Sequence, residues 1–388
     1  MKPLDGVLVV SLEQAVAVPY ATRLLADLGA RVVKVERPGG GDFARHYDTA
    51  CGEVSSYFAW TNVGKESLTL DLKQPSGREV LARLVDRADV VLCNLSPGAA
   101  RRLGVDATTL RASRPTLVVG ELSGYGAEGP YAGRKAFDAL VQSEAGLVEL
   151  TGDGPVTARA GISVADIAAG VQLHAAVLAA LLQRARTGEG ATLRLTLFDA
   201  LAEWMHQPML YAEGTGEAAP RTGAHHPSIA PYGPFTCSDG TVHLAVQNDG
   251  QWRRLCAVLK RTDLADDPRF TTVSLRVAHR PALHAELDVT RWRAEELLAA
   301  LDAADVPAAR TRSVAQLTEH PQVLARNRRA TTTVPGGGIT LLKPPVDSTA
   351  WSWDAAPVPA VGGDTERILA WLGYPERRIA EFRANAVV

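Results

Sequence analysis

The sequence predicts an α/β protein: a parallel sheet in a large domain built from both chain ends, plus a smaller α+β domain between them. Three observations carry that prediction. Up to Tyr125, short apolar runs alternate with stretches of helical spacing, the pattern of parallel βαβ units with helices on both faces. Near residue 213 the composition turns rich in Gly, Ala and Pro, as linkers are, and a hairpin pattern follows. The stretch beyond 316 is too short for a third core, so it is expected to return to the first domain. A length of 388 residues suits about two domains at ~100–200 residues each.

VLVVSL (7–12) is a strand-like apolar run, and Tyr20, Leu24, Leu25 and Leu28 give 17–29 a helical period. ARVVKVE (30–36) is the second strand. GREVLARLVDRA (77–88) reads as a helix, and DVVLCN (89–94) and TLVVGEL (116–122) as two further strands. Right-handed crossovers assemble such units into an open, Rossmann-like sheet. A long helix is expected over 164–186, with its apolar stripe at Ile167, Val171, His174, Leu178 and Leu181 or Leu182. Ser163 can cap it, and Gly188 or Gly190 can end it.

Strand ATLRLTL (191–197) and a helical segment from 198 to about 212 come next. EGTGEAAPRTG (213–223) is linker-like, so residues 1–199 are assigned to the large domain and 200–221 to the link out of it. PFTCSDGTVHLAV (234–246) gives two strands around Asp239-Gly240. Helices near 249–260 and 280–303 complete a small domain at 222–316. Residues 317–388, the returning part, carry a Gly336-Gly337-Gly338 turn, a Pro-rich crossing at 344–359 and a final helix near 364–385.

Composition narrows the function. Lys+Arg 41 against Asp+Glu 43 leaves a net charge of −2, which argues against a nucleic-acid binder held by bulk phosphate attraction. Cys51, Cys93, Cys237 and Cys256 form no C-x-x-C pair, and the histidines show no H-x-x-x-H spacing, so neither a zinc site nor a disulfide framework is expected. The opening MKPLDGVLVVSLEQ lacks a signal-peptide pattern. The most apolar long stretch, 164–182, contains Asp166, Gln172 and His174, so no membrane association is expected and the cytoplasm is the expected location.

The first βα turn, Ser11 to Pro19, lacks G-x-G-x-x-G, which disfavours a dinucleotide-dependent hydride-transfer enzyme. No Lys-Ser/Thr follows Gly39-Gly40-Gly41, so that run is not a P-loop, and G-x-S-x-G is absent. The loop Glu121–Tyr131 follows a strand, where open α/β sheets bind ligands. Its Ser123 and Tyr125 can touch a ligand there, though a purely structural turn would read the same. Asp166 is the most informative acid, because it opens an otherwise apolar helix among small neighbours. The helix N-terminus favours its ionised form, as a nucleophile or base requires. Ser163-x-x-Asp166 equally resembles a capping box, and spacing alone leaves both readings open. Arg37, Arg102 and Lys135 flank turns and suit phosphate-bearing ligands, although each alone reads as a surface charge. The pair His225-His226 reads as a loop feature.

Taken together, four segments resemble the class III CoA-transferase (CaiB/BaiF) family, which is related to the α-methylacyl-CoA racemases. They are LDGVLVVSLEQAVAVPYATRLLADLGARVVKVERPGGGD, NVGKESLTLDLKQPSGREVLARLVDRADVVLCNLSPGAARRLG, ELSGYGAEGPYAGRKAFDALVQSEAGLVELTG and GISVADIAAG. Their occurrence in order is far more specific than any one of them. The resemblance implies an interlocked homodimer, with an active site between the large domain of one subunit and the small domain of the other. It places the catalytic aspartate at Asp166. It implies CoA contacts at Val16, Ala17, Arg37, Leu70, Asn94, Leu95, Arg102, Leu103 and Lys135, and a substrate pocket near Tyr125, Phe137, Asp138, His225 and His226. Coenzyme A or acyl-CoA would be the substrate, with small carboxylic acids as partners, no tightly bound cofactor and no metal.

The mechanism so implied passes CoA between small carboxylic acids through aspartyl anhydride and aspartyl-CoA thioester intermediates. The racemase branch places a histidine where this chain has Phe137, which cannot move a proton, so transfer is expected over racemisation. HHPSIAPYGPF (225–235) stands where formyl-CoA:oxalate-type relatives carry a run of glycines, which weakens an expectation of oxalate or formate. With NDGQWRRLC (248–256) it resembles the subgroup handling small dicarboxylates. Asp364 replaces a histidine found in many relatives. The alternatives are an α-methylacyl-CoA racemase or epimerase, and a non-catalytic CoA-binding protein.

Overall fold

The computed structural model describes residues 1–388. Six strands form one parallel sheet: β1 (Leu8–Leu12), β2 (Arg31–Glu36), β3 (Glu66–Thr69), β4 (Val90–Cys93), β5 (Val118–Ser123) and β6 (Thr192–Thr196). Their order is β3-β2-β1-β4-β5-β6. Registers Val10↔Val33 and Val10↔Val91 put β1 at the centre, and all five residues of β1 are buried, as helices on both faces require. This is a doubly wound order, and it reverses between β1 and β4. Strand β3 escaped the sequence reading because ESLT is four residues long and half polar. Its buried Ser67 is satisfied by donating its hydroxyl to Glu36 at 2.6 Å and accepting the Gly362 amide at 2.8 Å.

The helices that matter to the site are α1 (Ala17–Asp27), α2 (Pro75–Val85), α3 (Pro97–Leu103), α4 (Asp138–Glu144), α5 (Val164–Thr187) and α6 (Leu197–Trp204). The expected stripe of α5 is out of phase. Its buried residues are Ala165, Ala168, Ala169, Gly170, Leu173, Val177 and Ala180, whereas Val171 and Leu182 are exposed. Close approach to α1 selects small residues: a Cβ on Gly170 would lie 2.8 Å from the carbonyl oxygen of Ala17. By length and composition α5 is apolar enough to cross a membrane, but its small-residue face is buried in the large unit.

The chain divides into two compact units. The larger gathers Met1–Ala145, Ala160–His206 and Gln322–Val388, and the smaller Gly146–Arg159 with Gln207–Pro321. The smaller unit has an antiparallel sheet of β7 (Tyr232–Cys237), β8 (Gly240–Ala245) and β9 (Ala308–Arg310), ordered β9-β8-β7. α8 (Asp249–Val258), α9 (Arg280–Glu286) and α10 (Ala294–Ala303) share its core, and α7 (His206–Thr215), which buries none of its residues, leads into the unit. The expected link over 200–221 is thus largely helical. Residues 146–159 join this unit because Arg221 clasps them, donating to the carbonyls of Glu149 at 2.6 Å and Gly154 at 2.7 Å.

Two expected helices are broken. Between α9 and α10, Asp288 Oδ1 accepts the amide and hydroxyl of Thr290 at 2.9 and 2.6 Å, a local turn that competes with the helix. The tail forms a hairpin, β10 (Arg329–Val334) with β11 (Gly337–Leu342), and then α11 (Thr365–Trp371) and α12 (Glu376–Ala384). Gly373, at φ +90°, and Pro375 separate α11 from α12. Ile368, Leu369 and Phe382 enter the same core as Val10, Val33 and Val91. Asp364 ties this tail to the sheet by accepting the Ser67 amide at 2.9 Å.

Gly170→Val should lower stability by about 1–3 kcal/mol through overpacking at the α1–α5 contact. Urea denaturation against Gly214→Val, at an open helical position of α7 with no positive φ, checks that the loss is specific to the contact.

Candidate active site

Where strand order reverses, β1 and β4 leave a crevice at their carboxyl ends. Asn94, just past β4, spans it: Oδ1 accepts the Gln14 amide at 2.9 Å and Nδ2 donates to the Gln14 carbonyl at 2.8 Å. Ala15 follows at φ +63°, a left-handed conformation for a non-glycine residue. Its amide donates to Asp42 Oδ1 at 3.2 Å. Helix α1 then starts without a side-chain cap, so its first-turn amides have no intrahelical acceptor. Val16 and Ala17 here border a cavity of about 650 Å³ that also holds Asp166.

Two carboxylates line that cavity, and they differ in their bonding. Asp138 Oδ1 accepts the Ala165 amide at 2.9 Å, and Oδ2 accepts Gln142 Nε2 at 2.7 Å. Asp138 therefore caps the start of α5 from a neighbouring helix. Ser163 forms no side-chain cap, so the capping box allowed by the sequence does not form. Asp166 has no hydrogen bond to its carboxylate: burial, with the charge of Asp138 adding to it, pushes its carboxyl up to about 7. This corrects the expectation that the helix N-terminus keeps Asp166 ionised. The dipole offers about 0.3–1 kcal/mol near the surface, less than the cost of burying a second negative charge beside the first.

Phe43, Tyr47 and Tyr57 form an aromatic wall of the same cavity. Ring centroids are 5.7 Å apart for Phe43–Tyr47 and 5.6 Å for the edge-on pair Tyr47–Tyr57. Burial pushes the Tyr47 phenol up to about 12, and the charges of Asp42 and Asp166 reinforce this. The sequence reading missed this wall. The available signal was the bunching of DFARHY and SSYFAW in a chain only 6% aromatic.

A buried ionic network underlies these elements. Lys65 Nζ donates to Glu13 Oε1 at 2.7 Å, Lys34 Nζ to Asp42 Oδ2 at 2.9 Å, and Arg45 to both Glu36 oxygens at 2.9 and 2.7 Å. Three cations face three carboxylates. Burial works against ionised Glu36, but the Arg45 hydrogen bonds and the Lys34 charge bring its carboxyl down to about 2. Burial pulls the Lys65 ammonium down to about 7 against the attraction of Glu13.

The other candidate residues separate into groups. Arg37, Leu70, Leu95, Arg102 and Leu103 line a cavity of about 420 Å³, and Gln14 borders both this cavity and that of Asp166. Val16, Ala17, Asn94, Phe137 and Asp138 lie around Asp166. Lys135 is exposed and lines neither cavity, although the adjacent Ala136 borders that of Asp166. Tyr125 is not in the Asp166 cavity: it lines a third, of about 540 Å³, and packs against Tyr131 and Phe198. Ser123 borders both. His225 and His226 belong to the smaller unit. There His225 stacks on His284 at 4.5 Å and His226 on Tyr232 at 5.1 Å. No group of three or more His, Cys, Asp or Glu side chains is placed to hold a metal ion.

Residues 4–365 match the family model described as CoA-transferase family III. The chain is 36% identical over 348 residues to an acetyl-CoA:oxalate CoA-transferase of Acetobacter aceti, covering 89% of this chain and 88% of that protein. It is 35% identical over 392 residues to a succinate–glutarate CoA-transferase of Agrobacterium fabrum, covering 97% of each. A crystal structure of a CaiB/BaiF family protein from Brucella suis superposes with a TM-score of 0.87 at 36% identity, covering 96% of this chain and 99% of that one.

A folded-state carboxyl at about 7, above its unfolded value, lowers stability as pH rises from the unfolded value through 7. Asp166→Asn should therefore raise the melting temperature at pH 8, and the gain should vanish near pH 4, as calorimetry across that range will read. Asp138→Asn removes the neighbouring charge and should shift the Asp166 midpoint below 7 in carboxyl-labelled NMR titration.

Proposed function

Because the chain belongs to CoA-transferase family III, we propose that it moves CoA between small dicarboxylic acids and that Asp166 carries the covalent intermediates. The observation that bears this reading is the unpaired carboxylate of Asp166 in the switch-point cavity, beside a second carboxylate that is fully hydrogen-bonded. Its carboxyl, near 7, is substantially ionised at neutral pH and more basic than an ordinary aspartate, which suits a nucleophile. Acylation also removes its charge from beside Asp138, so the adduct relieves a repulsion that the free enzyme bears.

An Asp166 oxygen attacks the donor thioester carbon, the C–S bond breaks, and CoA leaves as thiolate with a mixed anhydride behind it. The thiolate attacks Asp166 Cγ and expels the donor acid as carboxylate, leaving an aspartyl-CoA thioester. An acceptor carboxylate attacks Cγ, again releasing thiolate, which then takes the acceptor acyl group and frees Asp166. Each attack places negative charge on a carbonyl oxygen, and the uncapped amides of Val16 and Ala17, residues on the border of the same cavity, are proposed as its donors. Holding both partners in the cleft supplies effective concentrations of up to ~10⁵–10⁸ M.

CoA is proposed to lie along Arg37, Leu70, Leu95, Arg102 and Leu103 and to enter the Asp166 cavity past Gln14, Val16, Ala17 and Asn94, with Lys135 on a phosphate. The shared border at Gln14 supports this path. The relatives named for oxalate and for succinate–glutarate are alike in identity. The missing glycine run therefore does not separate oxalate from longer diacids. Phe137 on the cavity wall supports transfer over racemisation. An interlocked homodimer is part of the proposal, supported by apolar side chains left exposed: Phe137, Ile162, Leu182, Trp204 and Leu210.

Incubation with an acyl-CoA donor and a panel of diacids, followed by borohydride or hydroxylamine trapping, should give an adduct on the peptide containing Asp166. Asp166→Ala should lower exchange by on the order of 10³-fold or more. Undiminished exchange in that variant overturns the assignment. Deuterium uptake at the α-carbon without an acid acceptor would instead indicate the racemase reading. Sedimentation of the native protein should give the mass of two chains.

A further inference from the structure

We propose that Asp42 is a positioning residue for CoA transfer, bridging the Lys34 ammonium and the Ala15 amide so that the β1–α1 turn presents its open amides to Asp166. The inference rests on the reading of Asp166 above and adds a residue that lines neither the Asp166 cavity nor the one beside it.

Ala15 is where the turn is strained. A left-handed conformation costs an L-residue about 1–2 kcal/mol, and it persists only where the surroundings hold it. Two bonds hold the peptide that enters Ala15: the Asp42 carboxylate accepts the Ala15 amide at 3.2 Å, and Asn94 Nδ2 donates to the Gln14 carbonyl at 2.8 Å. Asp42 is itself fixed from every side. Its own amide donates to Glu36 Oε2 at 2.8 Å, its Oδ1 also accepts the Ala44 amide at 2.9 Å, and its Oδ2 accepts Lys34 Nζ at 2.9 Å. Both side chains of the Lys34–Asp42 pair are 0% exposed, so water cannot substitute for either partner. Lys34 reaches back to Glu13 as well, at 3.4 Å. One carboxylate thus ties three things together: β2, the strained turn, and the short turn Phe43–His46 that begins the aromatic wall.

Without Asp42, only Asn94 still holds that peptide, and the strain at Ala15 can relax to negative φ, which rotates the peptides that follow. The amides of Val16 and Ala17 then lose their aim at the oxyanion, while Leu70, just past β3, and Arg102 on α3 keep their supports in the neighbouring cavity. Turnover should suffer far more than CoA affinity, because most of the proposed CoA contacts line the neighbouring cavity.

The test compares two double variants that remove the buried charges in pairs, so that no lone ion is left inside. Lys34→Met/Asp42→Asn keeps an acceptor oxygen for the Ala15 amide, and Lys34→Met/Asp42→Ala does not. Both should melt within a few degrees of each other. The Asn variant should keep most of the parent kcat. The Ala variant should lose on the order of 10²-fold in kcat with KM for acyl-CoA within about 3-fold. Should the Ala variant fail to fold, Lys34→Met/Asp42→Ser takes its place, since the serine oxygen falls short of the amide. Equal kcat in the Asn and Ala (or Ser) variants overturns the proposal, as does a rise in KM at unchanged kcat. Borohydride trapping of the parent protein runs alongside. An adduct on Asp166 with equal variants defeats only the role of Asp42, whereas no adduct defeats the reading of Asp166 itself.

Discussion

The central strands β1 and β4 are buried along their whole length, so access to the middle of the sheet is from its ends, and the reversal of order at β1 and β4 opens one of those ends into a crevice. Every feature of the site hangs on that reversal. Two chain segments diverging from adjacent strands cannot close the gap with strand hydrogen bonds, so Asn94 closes it with a side-chain amide that imitates a strand neighbour of Gln14. The price is a left-handed alanine and a helix with bare first-turn amides. A soluble core would seldom tolerate either. A site with the transfer chemistry proposed for this one, where negative charge develops, can use both.

The buried charges make sense as the support of that strained turn. Taking ions out of water is costly, and breaking a buried pair by removing one partner typically costs about 3–5 kcal/mol. Here Glu13, Glu36 and Asp42 face Lys34, Lys65 and Arg45 with no net charge left over, and each carboxylate also accepts a hydroxyl or backbone amide. An apolar core could fill the same space. It could not offer directional acceptors to Ala15 and Ala44, and so could not set the geometry of two turns at once. Glu36 also reaches the C-terminal segment, through Ser67 and through Arg45, which donates to the Pro359 carbonyl at 3.1 Å. The return of the chain end to the first sheet is therefore coupled to the site by the same ions.

Asp166 stands apart from this economy of pairing. It lies among small residues because α5 must approach α1 closely, and the same closeness denies it a partner. The acid next to it is spent on capping α5. What is left is a carboxylate that holds its charge poorly, a property that suits the covalent role proposed for it.

The alternation of β-branched strands with amphipathic helices was legible directly in the residues, because a strand covered on both faces must be apolar throughout and a helix covered on one must repeat every three to four residues. The order of motifs such as KVERPGGGD and GISVADIAAG likewise carried the family and pointed to Asp166. Other things were written nowhere in the local pattern. The phase of α5 depended on how near α1 comes. The breaks at Asp288 and Gly373 depended on turns that outcompete helical propensity. Which of two adjacent acids would cap a helix and which would be left bare depended on α4, two dozen residues upstream. Phe43, Tyr47 and Tyr57 became one wall, and Lys34 and Asp42 one bridge, only when β2 and the turn after it were laid beside β1. Periodicity reports what a segment buries. Pairing and electrostatics depend on what the rest of the chain brings to it, and that is decided by the fold.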